Sequence, residues 1–213
     1  MMRRPVVKLE IVELMRERQR QLTGDLKVLQ DFAKENNVPV IPHETVVYFQ
    51  FLLSVLKPKK ILEIGTAIGF STRLFAESCP DALITTLERH EEMLVQARKN
   101  LKEFDNVKLL EGDAAELLPQ LTGNFDFIFM DSAKTQYVKF LPELLRLLSA
   151  EGVIVIDDVF QGGDVMRELT DLPRRERNII KGLNKLFDAT LDNPELQTSL
   201  VPLGDGLLMI KKC

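Results

Sequence analysis

The chain has 213 residues, of which 45% are hydrophobic and 28% charged, a composition typical of a globular domain and not of a disordered chain. Its net charge of −4 gives no overall attraction to nucleic acid or to an anionic membrane, so any nucleic-acid contact must come from a local basic patch. The two cysteines form no C-x-x-C pair, and a disulfide framework and a zinc cluster are therefore not indicated. With no membrane-spanning segment and no signal segment in the pattern, we expect a cytoplasmic protein without a membrane partner.

The first part of the chain reads as helical. Hydrophobic spacing predicts helices over residues 6–22, 26–36 and 45–56. Prolines make the stretch 38–42 extended, because proline restricts the residue before it. We expect residues 1–57 to form a helical cover over a core at 58–213, the whole chain being a single domain.

From residue 60 onward, strand and helix patterns alternate. Apolar, β-branched runs predict strands over 61–64, 83–87, 107–110, 125–130 and 152–156, and a turn signal at 203–206 joins two further strands over 197–201 and 207–211. Alternating units of this kind form parallel sheets with helices on both faces. The pattern predicts an α/β fold with a Rossmann-like, seven-stranded sheet that is mostly parallel and closes with an antiparallel C-terminal hairpin.

A glycine loop follows the first predicted strand. Gly65 and Gly69 bracket a tight turn between that strand and a helix, which is the usual place for a ligand cradle. The spacing is not the G-x-G-x-x-G of dinucleotide sites, and we expect Glu63 to repel a pyrophosphate. A cationic ligand such as S-adenosylmethionine fits better, although an ordinary strand-to-helix turn is the alternative.

Each of the first five predicted strands has an acidic residue at its end or in the loop that follows, at the edge where such sheets bind ligands. Glu88 ends the second strand, where a carboxylate binds the ribose hydroxyls of an adenosine. Asp113 and Ala114 follow the third strand and can contact the edge of the adenine ring. Asp113 is also a candidate helix cap, and both roles are compatible.

Three carboxylates come after the fourth and fifth strands. Asp131, Asp157 and Asp158, with no histidine nearby in the sequence, predict a site for Mg²⁺, Mn²⁺ or Ca²⁺ rather than zinc. An acid-rich sheet edge without metal is the alternative. Lys134 lies three residues after Asp131 and is the candidate general base, whereas a solvated lysine at a helix start is the alternative.

These motifs together resemble the class I, metal-dependent O-methyltransferases related to the catechol and caffeoyl-CoA methyltransferases. The matching motifs are Glu63-Ile-Gly65-x-x-x-Gly69-Phe-Ser71, Glu88-Arg89, Gly112-Asp113-Ala114, Asp131-x-x-Lys134 and Asp157-Asp158. The resemblance implies S-adenosylmethionine contacts at Ile41, Ser71, Glu88, Asp113, Ala114 and Asp131, with Glu63 and Gly65 framing the loop. It implies metal ligands at Asp131, Asp157 and position 158, where the family normally has asparagine, catalysis by Asp131 and Lys134, and a homodimer.

Within that family the chain looks most like the bacterial tRNA 5-hydroxyuridine methyltransferases, from the arginine run at 174–177 and the segments 193–198 and 202–207. Residues 173–185 carry five basic residues against the single acid Glu176, which provides a local patch for RNA phosphates. The RNA-binding candidates are Arg174, Arg175, Arg177 and Lys181. The expected acceptor is the wobble 5-hydroxyuridine of a tRNA anticodon stem-loop. The alternatives are a small hydroxylated aromatic acceptor and a non-catalytic cofactor-binding protein, and a solvated helix face is the simplest explanation of the basic run.

Overall fold

The computed structural model of the protein describes residues 7–213. Eight α-helices are formed in this part of the chain: α1 Leu9–Arg18, α2 Gly24–Glu35, α3 His43–Leu56, α4 Phe70–Ser78, α5 Glu91–Leu101, α6 Ala114–Leu117, α7 Tyr137–Leu147 and α8 Arg174–Thr190. Short 3₁₀ turns cover Leu118–Gln120, Lys134–Gln136, Gln161–Met166 and Leu169–Asp171. In residues 7–213, no helix combines the length and the hydropathy that a membrane-spanning segment needs.

Seven strands form one mixed sheet. They are β1 Lys60–Ile64, β2 Leu83–Glu88, β3 Val107–Glu111, β4 Phe125–Met130, β5 Leu148–Ile156, β6 Leu196–Val201 and β7 Leu207–Lys212, in the order β3-β2-β1-β4-β5-β7-β6. The first five strands pair in parallel, and β7 inserts antiparallel between β5 and β6. The predicted fold class is confirmed.

The sheet separates two hydrophobic layers because side chains alternate along each strand. On β4, Phe127 and Phe129 enter the layer formed with α2, α3 and α4, whereas Ile128 and Met130 enter the layer formed with α7 and α8. In the first layer, the ring of Phe49 on α3 meets the rings of Phe127 and Phe129 edge-on. The helices that precede the first strand therefore pack against the sheet and supply part of its core.

One helical prediction needs correction. The helix predicted over 6–22 spans only Leu9–Arg18, since Gln19 is extended and α2 begins at Gly24. The first six residues of the predicted helical cover lie outside the described part of the chain. The segment after β4 begins as a 3₁₀ turn, and α7 then continues through Pro142, which removes one backbone hydrogen bond. Burial of the apolar face of α7 against the sheet compensates for that loss.

Candidate active site

The strand order reverses direction between β1 and β4. From β1 the chain runs outward to β2 and β3, and it returns through β4 to build the other half of the sheet. Ligands of open α/β sheets bind in the crevice at such a switch point, beyond the carboxyl ends of the strands. The two loops at this point are 65–69, after β1, and 131–134, after β4. They carry the glycine motif and the Asp131–Lys134 motif.

Gly65 is required where these two loops meet. Its φ is +104°, and a Cβ atom at this position would lie 1.8 Å from the carbonyl oxygen of Asp131. The amides of Gly65 and Thr66 both donate to the carbonyl oxygen of Leu87, at 3.0 and 3.1 Å. The loop is therefore fixed from two sides, by the close approach of its backbone to Asp131 and by the hydrogen bonds to Leu87.

Glu88 ties the glycine loop to the end of β2. One carboxylate oxygen accepts a hydrogen bond from the Ala67 amide at 2.9 Å, and the other accepts from the amides of Arg89 and His90, both at 2.8 Å. The residue is 6% exposed. Its carboxylate is thus held rigidly at the edge of the crevice, and the ribose contact assigned to it stays a prediction.

The structure corrects the expected orientation of Glu63. Its side chain is fully buried and accepts hydrogen bonds from the hydroxyls of Ser71, Thr72 and Thr86, so it does not face the ligand space. Burial raises the pKa of the Glu63 carboxyl. The carboxylate binds helix α4 to the sheet beneath the glycine loop, which is a framing role. The hydroxyl of Ser71 is engaged in the same contact, leaving its backbone amide as the group that can contact a cofactor.

Asp113 caps helix α6, as its sequence position indicated. Its carboxylate accepts the Ala115 amide at 2.9 Å and pairs with the Arg89 guanidinium at 2.9 Å. Both contacts lower the pKa of Asp113, and the hydrogen bond from the Ala115 amide has the larger effect. Ala114 begins the helix beside it. Ile41 is buried in the segment before α3. The cofactor contacts assigned to Ile41 and Asp113 stay predictions.

Two of the predicted metal ligands lie at the ends of neighbouring strands. Asp131 directly follows β4 and Asp157 directly follows β5, and the Asp157 amide donates to the carbonyl oxygen of Met130 at 2.9 Å. Burial and the nearby charge of Asp158 raise the pKa of Asp131 to about 7. Burial and the charge of Asp131 raise the pKa of Asp157 well above its usual range.

This donor set fits a divalent cation. Carboxylates that are buried and repel one another are stabilised by a hard cation between them. Within residues 7–213, however, no three His, Cys, Asp or Glu side chains are already grouped as metal ligands. Asp158, whose φ is +60°, pairs instead with Lys134. The metal site stays a prediction, and Asp158 would have to turn toward the cation.

Lys134 is held by three acceptors. Its ammonium donates to Gln161 Oε1 at 2.7 Å and lies 3.2 Å from Asp158 Oδ2 and 3.7 Å from Asp205 Oδ2. The side chain is 17% exposed. Sequence reasoning missed Gln161 and Asp205. The only signal for Asp205 was its place in the 203–206 turn, and Gln161 carried none.

The basic segment forms the first half of α8. Arg174, Arg175 and Lys181 are exposed there. Arg177 is half-buried, and it donates to the carbonyl oxygens of Leu172 and Thr170 at 3.1 and 3.3 Å. The α-carbon of Gly182 packs against the 134–136 turn, since a Cβ on it would lie 3.5 Å from the Lys134 carbonyl oxygen. Helix α8 thus supports the turn that carries Lys134, and Arg177 serves mainly to fix the start of the helix.

Comparisons with known proteins show the family of the chain. A family model described as O-methyltransferase matches residues 19–213. A catechol O-methyltransferase from Niastella koreensis is 33% identical over 156 residues, which cover 68% of this chain and 71% of that protein. A caffeoyl-CoA O-methyltransferase from Stellaria longipes is 28% identical over 172 residues, covering 76% of this chain and 71% of that protein.

Solved structures give the same fold. The SAH-bound methyltransferase PaMTH1 of Podospora anserina has a TM-score of 0.86 and 27% identity, covering 96% of this chain and 94% of that one. An O-methyltransferase from Bacillus cereus in complex with SAH has a TM-score of 0.83 at 21% identity, covering 96% and 97% of the two chains, which shows the fold. The non-catalytic alternative is set aside. The chain belongs to the O-methyltransferase family that its sequence and fold match, and it is an S-adenosylmethionine-dependent O-methyltransferase.

Proposed function

We propose that this enzyme methylates the 5-hydroxyl group of 5-hydroxyuridine at the wobble position of tRNA, giving 5-methoxyuridine. The observation that carries the proposal is the position of the exposed basic residues on α8. The same helix packs through Gly182 against the turn that bears Lys134. Phosphates bound along α8 would therefore bring a nucleotide close to the candidate catalytic lysine.

The reaction needs a hydroxyl oxygen, a methyl carbon and a sulfur atom in line. S-adenosylmethionine supplies a methyl group that its sulfonium makes electrophilic, so the driving force lies within the cofactor. The chain contributes the rigid cradle in which Gly65 and Glu88 fix the loop after β1. Asp131 lies across the switch point from that loop, where a carboxylate favours a cationic ligand.

The acceptor hydroxyl must lose its proton as the carbon–oxygen bond forms. We assign to Lys134 the role of taking or guiding that proton; this is supported by its position at the start of the 134–136 turn, with its side chain next to Asp158. A divalent cation held by Asp131, Asp157 and Asp158 would supply Lewis acidity toward the acceptor oxygen.

The experiment that tests the acceptor reverses charge on α8. The double variant Arg174→Glu/Arg175→Glu should lose methylation of an anticodon stem-loop that contains 5-hydroxyuridine, with binding weakened at least about tenfold at moderate salt. The slope of log K against log salt should become shallower by about two, one for each lost phosphate contact. Affinity for S-adenosylmethionine, measured by calorimetry, should stay unchanged because neither arginine lies at the switch point.

The matched control is Lys99→Glu/Lys102→Glu, which makes the same change in charge on and just after α5. Both lysines are exposed, and α5 follows β2, in the half of the sheet away from α8. The control should retain most RNA methylation. Equal losses in the two double variants would mean that net charge alone matters, and unchanged RNA methylation in the α8 variant would refute the proposed RNA contact.

A small hydroxylated aromatic is the second candidate acceptor. The observation that favours it is the similarity to proteins named as catechol and caffeoyl-CoA O-methyltransferases. The wild-type enzyme should therefore be assayed on a simple catechol and on the stem-loop RNA side by side. Methylation of the catechol alone, with no transfer to RNA, would replace the tRNA assignment with the small-molecule one.

A further inference from the structure

Asp205 lies in the turn between β6 and β7, outside the motifs that define the catalytic loops. It is 9% exposed, which is unusual for an aspartate, and its two carboxylate oxygens have different partners. Oδ1 accepts a hydrogen bond from the Gly162 amide at 2.5 Å. Oδ2 faces the Lys134 ammonium at 3.7 Å. One side chain thus contacts both the catalytic turn and the loop after β5.

The loop after β5 carries the closest partner of Lys134. Gln161 accepts a hydrogen bond from the lysine at 2.7 Å, and its own φ is +49°, a conformation that a non-glycine residue adopts only when its surroundings hold it. The bond from the neighbouring Gly162 amide to Asp205 is one such restraint. Asp205 therefore acts on Lys134 directly by charge and indirectly through Gln161.

Backbone contacts make the turn and the loop one unit. The Phe160 amide donates to the Asp205 carbonyl oxygen at 2.8 Å, and the Val159 amide donates to that of Gly206 at 3.1 Å. The Phe160 ring packs so closely on Gly206 that a Cβ there would lie 2.1 Å from it. This pairing leaves Asp205 little freedom to move away from Lys134.

We propose that Asp205 is a positioning residue that, together with Gln161, aims the Lys134 Nζ atom at the acceptor hydroxyl. A lysine side chain has many rotamers, and a base works only in the few that reach the proton. Asp158 also contacts Lys134, but it is a predicted metal ligand, and binding a cation would draw it away from the lysine. Asp205 and Gln161 remain as partners of the lysine in that state.

The test is a double-mutant cycle on the methyl-transfer step, and it rests on the role proposed above for Lys134. Asp205→Asn is the informative variant, because the amide oxygen can still accept the Gly162 amide while the charge facing Lys134 is lost. In single-turnover reactions at saturating cofactor, Asp205→Asn should slow transfer about tenfold while the dissociation constant for S-adenosylmethionine changes less than about twofold. In a Lys134→Ala background the same substitution should slow transfer less than about twofold further.

Two further variants separate positioning from structural support. Asp205→Ala removes both contacts and should lower the melting temperature as well as the rate, whereas Asp205→Asn should melt close to the wild type. Asp188→Asn, an exposed aspartate on α8, is the control and should leave rate and melting temperature unchanged. Independent, multiplicative effects of Asp205→Asn and Lys134→Ala would overturn the proposal, as would a rate loss matched by an equal loss of cofactor affinity.

The cycle is measured on both stem-loop RNA and a small catechol. Non-additivity on either acceptor supports the role of Asp205, because the proton leaves a hydroxyl in both reactions. Methyl transfer to the catechol alone would refute the tRNA assignment. The double-mutant cycle measured on the catechol would then decide whether Asp205 positions Lys134.

Discussion

A Cβ atom on Gly65 would lie 1.8 Å from the carbonyl oxygen of Asp131, so the glycine loop and the end of β4 touch through backbone alone. The contact joins the two halves of the sheet at the switch point, where the ligand of such folds binds. Any side chain at position 65 has to push Asp131 away, and with it the carboxylate assigned to both the cofactor and the metal.

Gly65→Ala should lower the free energy of unfolding by about 2 to 4 kcal/mol, because overpacking and a positive φ act together. It should also weaken S-adenosylmethionine binding by moving Asp131. The control is Gly123→Ala, which has a φ of +107° but no atom within 4 Å of the added Cβ, so only about 1 kcal/mol of backbone strain is expected. Chemical denaturation measures both variants, and equal losses would contradict the contact.

Glu63→Gln should change the pH dependence of stability. Burial raises the pKa of Glu63 above its value in the unfolded chain, so the ionised form opposes folding. Its contribution to stability is complete below the unfolded pKa and is lost as the pH rises through the folded pKa. Glutamine does not titrate, and the hydroxyls of Ser71, Thr72 and Thr86 can rotate to meet the amide.

The stability of Glu63→Gln relative to the wild type should therefore improve as the pH rises above 4.5, the ordinary pKa of a glutamate, as measured by urea denaturation. The comparison cancels the other titrating groups because both proteins carry them. A difference that stays constant over this range would show that Glu63 ionises in the folded protein as easily as in the unfolded chain.

Glu88→Gln should weaken S-adenosylmethionine binding about tenfold or more, since an amide accepts through one oxygen only and its NH₂ group faces the amide donors now bonded to the carboxylate. Calorimetry gives the affinity, and circular dichroism checks the fold. Glu92→Gln, an exposed glutamate on α5, should bind normally. An unchanged affinity in Glu88→Gln would remove the ribose assignment.

Methyl transfer should require a divalent cation. Chelation should stop turnover but spare cofactor binding, and Mg²⁺ or Mn²⁺ should restore turnover, because the acidic edge fits a hard cation.

Asp157→Asn should weaken Mn²⁺ binding, measured by electron paramagnetic resonance. Asp158→Asn should remain active, since asparagine is the usual family residue at this position. Full activity in excess chelator would refute the metal mechanism. An inactive Asp158→Asn would show that this carboxylate has another role.

The sequence by itself determined the fold class and the edge of the sheet at which the candidate site residues lie. Alternating strand and helix patterns predict a parallel sheet, because each strand of that type is followed by a crossover helix. Acidic residues just past the strands then fall at one edge, and Asp131 and Asp157 do lie on neighbouring strands. These features depend on local periodicity and chain order, which a sequence carries directly.

Only the tertiary structure decided how the side chains at that edge are used. Glu63 turned out to be buried under α4 because three hydroxyls meet there from separate elements. Asp205 reaches Lys134 because β7 inserts between β5 and β6, which brings the turn before it beside the loop after β5. Contacts of this kind depend on strand order and packing over long separations along the chain, and no local pattern encodes them.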